Sequence, residues 1–307
     1  MLPGNKNQQP MPDHKSCPLC KSDNIEEVFK ATDYLVSGQE FPLIKCSDCF
    51  FIFTNEYPPE NQAANYYISG DYISHSDTSK GTINKIYHLV RGYMLKRKFS
   101  MLRRVSPAGK QSVLDIGCGT AYFPLYLNQK GWHCKGLEIS DEARKFAYEK
   151  HGLTIDKPEK IVDFELGSFD IVTMWHTLEH FYDPDNYMKN VHRLLRKNGL
   201  LVIALPNNSS YDAGYYSKYW AAWDVPRHLW HFDPHTIERY AGGHGFAPVK
   251  TFRLPFDAFY VSVLSEKHKG SGTAVIKGFF RGFISWFTAL TRQSRTSSLV
   301  YIFRKNQ

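Results

Sequence analysis

The sequence contains no run of 18 or more apolar residues, and its first fifteen residues lack the apolar core of a secretory signal. We therefore expect no membrane-spanning helix and no export, a cytoplasmic protein, and a disordered segment over residues 1–15. The 307 residues include 15% aromatic side chains and ordinary amounts of Gly (21) and Pro (16). This is enough chain for one large globular domain and a small one.

Acidic residues are missing or rare in two segments that are rich in Lys and Arg. Residues 85–104 contain seven basic residues and no acidic residue, and residues 261–307 contain eight against one, in a chain whose net charge is +8. Such segments face the phosphates of RNA or of a membrane surface, or they form a solvated helix face. Apolar residues recur at helical spacing in the first segment and predict a basic helix within a connector over residues 54–105.

Cysteine is also scarce, and four of the six cysteines form two Cys-x-x-Cys pairs separated by 25 residues. Two such pairs supply four thiolates for a tetrahedral structural zinc ion and predict a zinc-ribbon-like module over residues 16–53. A disulfide is disfavoured because no export signal is present, and a redox motif would explain one pair only. The predicted zinc ligands are Cys17, Cys20, Cys46 and Cys49.

From residue 106 onward, predicted strands and helices alternate. The apolar stretches SVLDIG, HCKGLEI, LTI, FDIVTMW and LLVIALPN read as strands, and amphipathic segments between them read as helices. This order predicts an α/β domain over residues 106–307, with a parallel sheet covered on both faces. Ligands of such sheets bind at the carboxyl ends of the strands.

The loop after the first of these strands, VLDIGCGTAYF, lacks the lysine and hydroxyl of the phosphate-binding pattern GxxxxGK[ST]. It also lacks the third glycine of GxGxxG, because Tyr122 follows Gly117 and Gly119 at that position. Asp115 at the strand end disfavours a pyrophosphate and suits a cationic ligand, and Glu138 after the next strand can accept both hydroxyls of a ribose. Together they predict a cationic nucleoside without phosphates, and S-adenosylmethionine (SAM) fits.

With these residues, the chain resembles class I SAM-dependent methyltransferases through LDIGCGTA, GLEIS, FELGSFDIVTMWHTLEHFYDP and LLRKNGLLVIALPN, with Ala121 in place of a usual glycine. The final SSLVYIFRK resembles the last strand of this fold. Residues 223–246 resemble a segment of a bacterial subgroup that has an N-terminal four-cysteine knuckle and is associated with sugar, glycan or envelope biosynthesis. The resemblance implies a seven-stranded Rossmann-like sheet, mostly parallel, with an antiparallel last strand. It implies a SAM site formed by Asp115, Gly117, Cys118, Gly119, Glu138, Ile139, Asp156, Lys157 and Trp175.

Methyl transfer from a sulfonium requires positioning and at most one base. His176 follows the fourth predicted strand at the ligand end of the sheet, with His180 four residues on, and imidazole suits the role of base. His176 is alternatively a hydrogen-bonded structural histidine. HTLEH also matches the HxxEH pattern of zinc peptidases, but here it lies at a strand-to-helix junction within a SAM-site pattern, which disfavours that interpretation.

A second set of candidates lies in DVPRHLWHF. Arg227 could clamp a phosphate or carboxylate of the acceptor, and His228 or His231 could be the base instead; alternatively, the loop only packs through its Trp and Leu side chains. Three tyrosines of the connector either cover the donor as a lid or belong to the core: Tyr66, Tyr67 and Tyr72.

The segment 274–295 predicts an amphipathic helix. Its apolar face, with Lys and Arg around the other side, suits a membrane interface, a cover over the substrate site or a dimer contact. The apolar face consists of Ile276, Phe279, Phe280, Phe283, Ile284, Phe287 and Leu290.

These observations predict transfer of a methyl group from SAM to a small-molecule, glycan or lipid-linked acceptor of sugar, glycan or envelope biosynthesis. An RNA methyltransferase is the alternative within enzymes, although the knuckle segment has three basic and six acidic residues. A non-catalytic zinc-ribbon protein that retains a SAM fold is the alternative outside enzymes. The acceptor atom and the oligomeric state do not follow from the sequence.

Overall fold

The structure is a computed structural model that describes residues 11–67 and 82–306, with the backbone alone for 82–87. Its strands are β1 (Ile25–Thr32), β2 (Glu40–Cys46), β3 (Ile52–Thr54), β4 (Ser112–Ile116), β5 (His133–Leu137), β6 (Phe169–Trp175), β7 (Leu195–Pro206), β8 (Trp230–His231), β9 (Phe246–Leu254) and β10 (Ser298–Lys305). Its α-helices are α1 (Thr82–Val105), α2 (Tyr122–Gln129), α3 (Asp141–His151), α4 (Pro184–Leu194), α5 (Tyr211–Tyr216), α6 (Pro234–Gly243), α7 (Asp257–His268) and α8 (Ala274–Thr291).

The central sheet has the strand order β5-β4-β6-β7-β10-β9. Neighbours from β5 to β7 pair in parallel, and β10 is antiparallel to both β7 and β9. Five strands therefore run in one direction and the last strand of the chain opposes them. This confirms the predicted α/β class, with a mostly parallel sheet whose carboxyl ends form one edge.

The predicted seventh strand is absent from the part of the chain that the structure describes. LTI forms no strand, and its end makes only an isolated parallel bridge between Asp156 and Leu137 of the edge strand β5. The pairing cannot extend because Pro158, which has no N–H, begins a 3₁₀ turn two residues later. The described sheet is therefore six-stranded, a correction to the predicted count.

The N-terminal residues form a second, antiparallel sheet with the order β1-β2-β3-β8. Its last strand comes from the segment 223–246, and Phe53 of β3 pairs with Trp230 of β8. Cys46, Phe53 and Trp230 share one apolar cluster with residues of the central sheet. The sequence predicts the cysteine module and the methyltransferase-like domain as separate units. In the structure they share the antiparallel sheet, through β8, and one apolar core.

Residues 11–15 were expected to be disordered, but His14 packs against the aromatic side chains of Phe53, Tyr57 and Trp230. Its Nε2 lies 3.0 Å from the Tyr57 hydroxyl, and its ring contacts Phe53 and Trp230. Residues 1–10 of the same predicted segment lie outside the described residues.

Helix α8 packs against α7 mainly through small residues, and its phenylalanines are largely exposed, although Phe279 also contacts Phe259 of α7. An added Cβ at Gly278 or Gly282 would lie 2.4 Å or 2.7 Å from the Cα of Val263 or Phe259 on α7. These glycines therefore permit the two backbones to approach. None of the described helices combines the length and hydrophobicity that a membrane span requires.

Candidate active site

The loop after β4 is shaped by two glycines with positive φ. Gly117 has φ +71°, and an added Cβ would lie 2.5 Å from Cγ2 of Thr177. Gly119 has φ +55°, and an added Cβ would meet no atom within 4 Å. The first glycine is thus required by the protein's own packing, whereas the second borders open space at the carboxyl end of the sheet, where a ligand can approach the backbone.

Glu138, directly after β5, has a carboxylate oriented by the backbone. One oxygen accepts the Gly119 N–H at 2.7 Å, and the other accepts the Ser140 N–H at 3.0 Å. Two loops at the carboxyl ends of β4 and β5 are therefore held together by one buried acid. Its position matches the one predicted for a ribose-binding carboxylate.

Asp115 is a buried acid at the carboxyl end of β4. Its side chain accepts a hydrogen bond of 2.5 Å from the Thr173 hydroxyl of β6. Burial raises the pKa of Asp115 to about 6, against the opposing effects of Thr173 and Lys98. A cationic ligand beside this carboxylate would relieve the unfavourable burial of its charge.

Lys98 of α1 is a site residue that the sequence did not indicate. Its Nζ lies 4.2 Å from the ring centroid of Trp175 and 5.3 Å from that of Phe123. Burial lowers the pKa of Lys98 to about 8, although Asp115 and Asp257 counteract the effect. In the sequence, Lys98 is one of seven basic residues in the segment 85–104, and nothing distinguishes it from the others. The packing of α1 in the structure brings it to the carboxyl ends of β4 and β6.

The other residues implied for the SAM site lie around the same edge. Trp175 has an indole N–H without a hydrogen-bond partner among the described residues, and the side chain of Ile139 is 77% exposed. Cys118 is confined beside β5, where burial raises its thiol pKa well above the usual value. Asp156 pairs through its backbone with β5, and Lys157 is exposed, 3.9 Å from Asp141.

His176 lies between two carboxylates, in a left-handed backbone conformation with φ +55° that is unusual for a residue other than glycine. Its Nε2 is 3.4 Å from Oδ2 of Asp257, and its Nδ1 is 3.5 Å from Oε1 of Glu179. Burial lowers the pKa of His176, but the two carboxylates outweigh it and raise the pKa to about 9. Without a ligand, His176 is therefore a cation at neutral pH. Asp257 was also missed, because it lies far away in sequence.

Glu179, His180 and His228 form a second cluster beside His176. Their potential ligand atoms lie within 4.8 Å of one another, so the three could hold a metal ion. Glu179 is 1% exposed, and neither carboxylate oxygen meets hydrogen-bond geometry within the described chain. Burial and the neighbouring His228 lower the pKa of His180 to about 4, so His180 is neutral.

Arg227, predicted as an acceptor clamp, is directed inward. Its side chain is 1% exposed, and Nη2 lies 2.9 Å from Asp33 and 2.8 Å from Asp224. Nε donates to Asp224 at 3.0 Å, and Nη1 donates to the Tyr66 carbonyl at 2.9 Å. Every nitrogen is thus engaged, which is a correction: Arg227 fastens the N-terminal sheet to the loop. His231 is likewise internal, with Nε2 2.9 Å from the Thr54 hydroxyl.

The three connector tyrosines differ in position. Tyr66 packs against Phe41 and donates to Gln39, which agrees with the core-packing alternative. The Tyr67 hydroxyl lies 3.1 Å from Nδ1 of His180, at the candidate site. Tyr72 lies outside the described residues.

The four predicted zinc ligands converge. Sγ of Cys17 lies 3.5 Å from that of Cys49, and Cys20 and Cys46 are equally spaced. All four sulfurs lie within 4.8 Å of one another and none forms a disulfide. Tetrahedral zinc with Zn–S bonds of about 2.3 Å separates its sulfurs by roughly 3.8 Å, so the cluster could hold such an ion.

Known proteins with similar sequences are methyltransferases. The chain is 31% identical over 114 residues to a ubiquinone biosynthesis O-methyltransferase of Pseudomonas aeruginosa, an alignment that covers 34% of this chain and 48% of the relative. The enzyme of the same name from Pelagibacter ubique is 30% identical over 120 residues, 37% and 49% of the two chains. The chain thus spans about half the length of the curated relatives it matches.

A similar fold occurs in a candidate sarcosine dimethylglycine methyltransferase from Galdieria sulphuraria. The two structures superpose with a TM-score of 0.50 at 15% identity, covering 80% of this chain and 99% of the other. At that identity the likeness concerns the fold alone. The family described as Methyltransferase domain matches residues 90–251, more than half of the chain, which includes the glycine loop, Glu138 and His176. The chain therefore belongs to this methyltransferase family and contains a methyltransferase domain of the SAM-dependent class I type.

Proposed function

We propose that the protein transfers the methyl group of SAM to a hydroxyl oxygen of a sugar, glycan or other envelope precursor, with His176 as the general base. The observation that carries this proposal is the placement of His176 between Asp257 and Glu179, next to the carboxyl ends of β4 and β6. A hydroxyl acceptor must lose a proton as its oxygen attacks the methyl carbon, and an imidazole at this edge can take it.

An oxygen acceptor is further supported by the relatives, which are named O-methyltransferases. Their name refers to ubiquinone biosynthesis and does not favour a sugar over another hydroxylated acceptor. The envelope assignment rests on the subgroup resemblance of the cysteine module and of residues 223–246. Nothing in the relatives' names favours RNA.

The charge of His176 constrains the mechanism. With a pKa of about 9, the imidazole is mostly protonated at neutral pH in the free protein. The positive sulfonium of bound SAM lowers that pKa, because like charges disfavour the protonated form. We expect the neutral, basic form to predominate only in the complex or at raised pH. The kcat/KM for methyl transfer should therefore increase with pH up to about 9, and kcat should level off at a lower pH.

The four-cysteine cluster, on this proposal, holds structural zinc. Zinc would cross-link the two Cys-x-x-Cys turns and so stabilise the N-terminal sheet. Asp33, the partner of Arg227, follows β1 of this sheet, and β3 pairs with β8, close to His228. The metal would act on the site only through the position of that loop.

The test uses the purified protein, SAM labelled at the methyl carbon, and extract from host cells that lack the gene. Products are fractionated with and without nuclease, and the same assay is repeated with His176→Gln. We expect label in a nuclease-resistant glycan or lipid fraction, as an alkali-stable methyl ether. His176→Gln should retain SAM affinity and lose about 10²–10⁴-fold in rate.

Each other outcome contradicts part of the proposal. Label lost to nuclease would establish RNA as the acceptor. An unchanged rate and pH profile in His176→Gln would remove His176 as the base. Absence of both label and SAM binding would favour the non-catalytic alternative.

A further inference from the structure

The outer face of α8 is apolar and exposed over its whole length. The side chains on this face, which we call the phenylalanine face, are between 49% and 74% exposed. The opposite side of the helix, which packs on α7, contains only small residues such as Gly278 and Gly282. The phenylalanine face comprises Ile276, Phe279, Phe280, Phe283, Phe287 and Leu290.

The sequence segment that carries this face is rich in basic residues. Residues 267–307 contain eight Lys or Arg and no acidic residue. Lys277, Arg292 and Arg295 are exposed, and the guanidinium of Arg281 lies 4.1 Å above the ring of Tyr215. An apolar strip beside several cations matches the chemistry of a bilayer interface, where acyl chains lie below anionic headgroups.

The phenylalanine face is connected to the candidate active site through α7. Phe279 contacts Phe259 with ring centroids 5.0 Å apart, and Phe256, at the start of the same helix, contacts Tyr93 of α1 at 5.5 Å. Between Phe256 and Phe259 lies Asp257, the partner of His176. The exposed side chains of Phe256, Tyr260 and Tyr93 thus extend the apolar surface towards the site.

We propose that the phenylalanine face docks on the surface of an anionic phospholipid bilayer, with its aromatic rings among the acyl chains and the flanking Lys and Arg at the headgroups. This places α7, which carries Asp257, next to the membrane. The proposal goes beyond methyl transfer and does not depend on the identity of the acceptor.

A second copy of the chain is the principal competing occupant. A twofold dimer through this face would bring the basic residues of both copies into one interface, because an isologous interface uses the same patch of both subunits. Their repulsion, with no acidic residue in residues 267–307 to offset it, favours the lipid surface.

The experiment measures co-sedimentation of the purified 307-residue protein with phosphatidylcholine vesicles, with and without phosphatidylglycerol. We expect binding to the anionic vesicles that weakens as salt increases. Phe280→Ser/Phe287→Ser should lower the partition coefficient at least tenfold, and Lys277→Gln/Arg292→Gln about fivefold per charge. The matched control is Val162→Ser/Leu166→Ser, two comparably exposed apolar residues elsewhere, and it should bind normally.

SAM affinity is measured for every variant, so that loss of docking is distinguished from loss of fold or of the methyltransferase site. Absence of vesicle binding by a protein that binds SAM would overturn the proposal. Equal binding to neutral vesicles would remove the electrostatic part. A dimer in sedimentation equilibrium that Phe280→Ser/Phe287→Ser dissociates, without vesicle binding, would assign the face to a second copy.

Discussion

Individual residues at the carboxyl edge of the sheet are held in conformations or charge states that are unfavourable without a ligand. Asp115 is a buried acid, and His176 has a positive φ. Gly119 exposes its backbone to open space. Such features are typical of a binding site, because the ligand supplies the missing contacts.

Replacing Gly119 by Ala, compared with the same change at Gly38, distinguishes a loss of ligand contact from the effect of backbone strain. An Ala at φ +55° costs about 1 kcal/mol of unfolding free energy, and its methyl group would project into the space expected for SAM. We expect the SAM Kd to increase at least tenfold by calorimetry. Gly38→Ala is the matched control, since Gly38 has φ +67° and also meets no atom within 4 Å. Comparable SAM affinity in the two variants would contradict this role of Gly119.

The pKa of Asp115 predicts opposite effects of pH on stability and on binding. A folded-state pKa of about 6, above the usual value, means that the folded protein binds more protons, so stability decreases as pH rises from 4 to 6. SAM binding requires the ionised carboxylate and should strengthen over the same range, by up to about tenfold per pH unit. Isothermal titration calorimetry at several pH values measures the Kd of SAM. Asp115→Asn should bind weakly at all of them, and an unchanged pH profile in that variant would exclude Asp115.

At the scale of elements, α7 and α8 form a pair whose closeness depends on glycine. Gly278 and Gly282 face the backbone of α7, which leaves the large side chains of α8 exposed. The helical periodicity of the sequence correctly groups those side chains on one face. It does not show which side of α8 packs on the rest of the chain, and in the structure α7 contacts the side with the small residues.

A methyl group at Gly282 tests this packing. Gly282→Ala would place Cβ 2.7 Å from Phe259 Cα and should lower the free energy of unfolding by about 1–3 kcal/mol, although Ala is the better helix former. Gly242→Ala in α6, where a Cβ meets nothing within 4 Å, should be neutral or stabilising. Urea denaturation of both variants gives the comparison. A Gly282→Ala protein as stable as Gly242→Ala would show that the helices separate easily.

At the scale of the whole molecule, the cysteine module and the methyltransferase domain share one antiparallel sheet and one apolar core. The β3–β8 pairing and the buried pair of Asp33 with Arg227 both cross between them. Removal of one partner from a buried ion pair is strongly destabilising, so the two parts should not unfold separately.

Metal removal should therefore affect the entire protein. We expect one zinc per chain by elemental analysis, and we expect Cys46→Ser to lower the unfolding free energy by about 3 kcal/mol or more, roughly 6–12 °C in Tm. SAM binding should weaken in parallel. Cys134→Ser, a buried cysteine outside the cluster, is the control and should retain the metal. A metal-free protein with unchanged Tm would contradict a structural zinc site.

The sequence alone determined the α/β class, the glycine loop, Glu138 at its strand end and the convergence of four cysteines. Each depends on residues that are neighbours in the chain or on a spacing that geometry permits in few ways. Local hydrogen bonds encode such features directly. The Ser140 cap of α3 and the Asp233 cap of α6 are further examples.

Only the tertiary structure decided which distant side chains meet. It brought Asp257 to His176, turned Arg227 inward to Asp33, and carried Lys98 towards Asp115. It also reduced the predicted third strand, LTI, to a single bridge. These contacts join residues far apart in the chain, and their formation depends on how whole helices and sheets pack, which no local pattern contains.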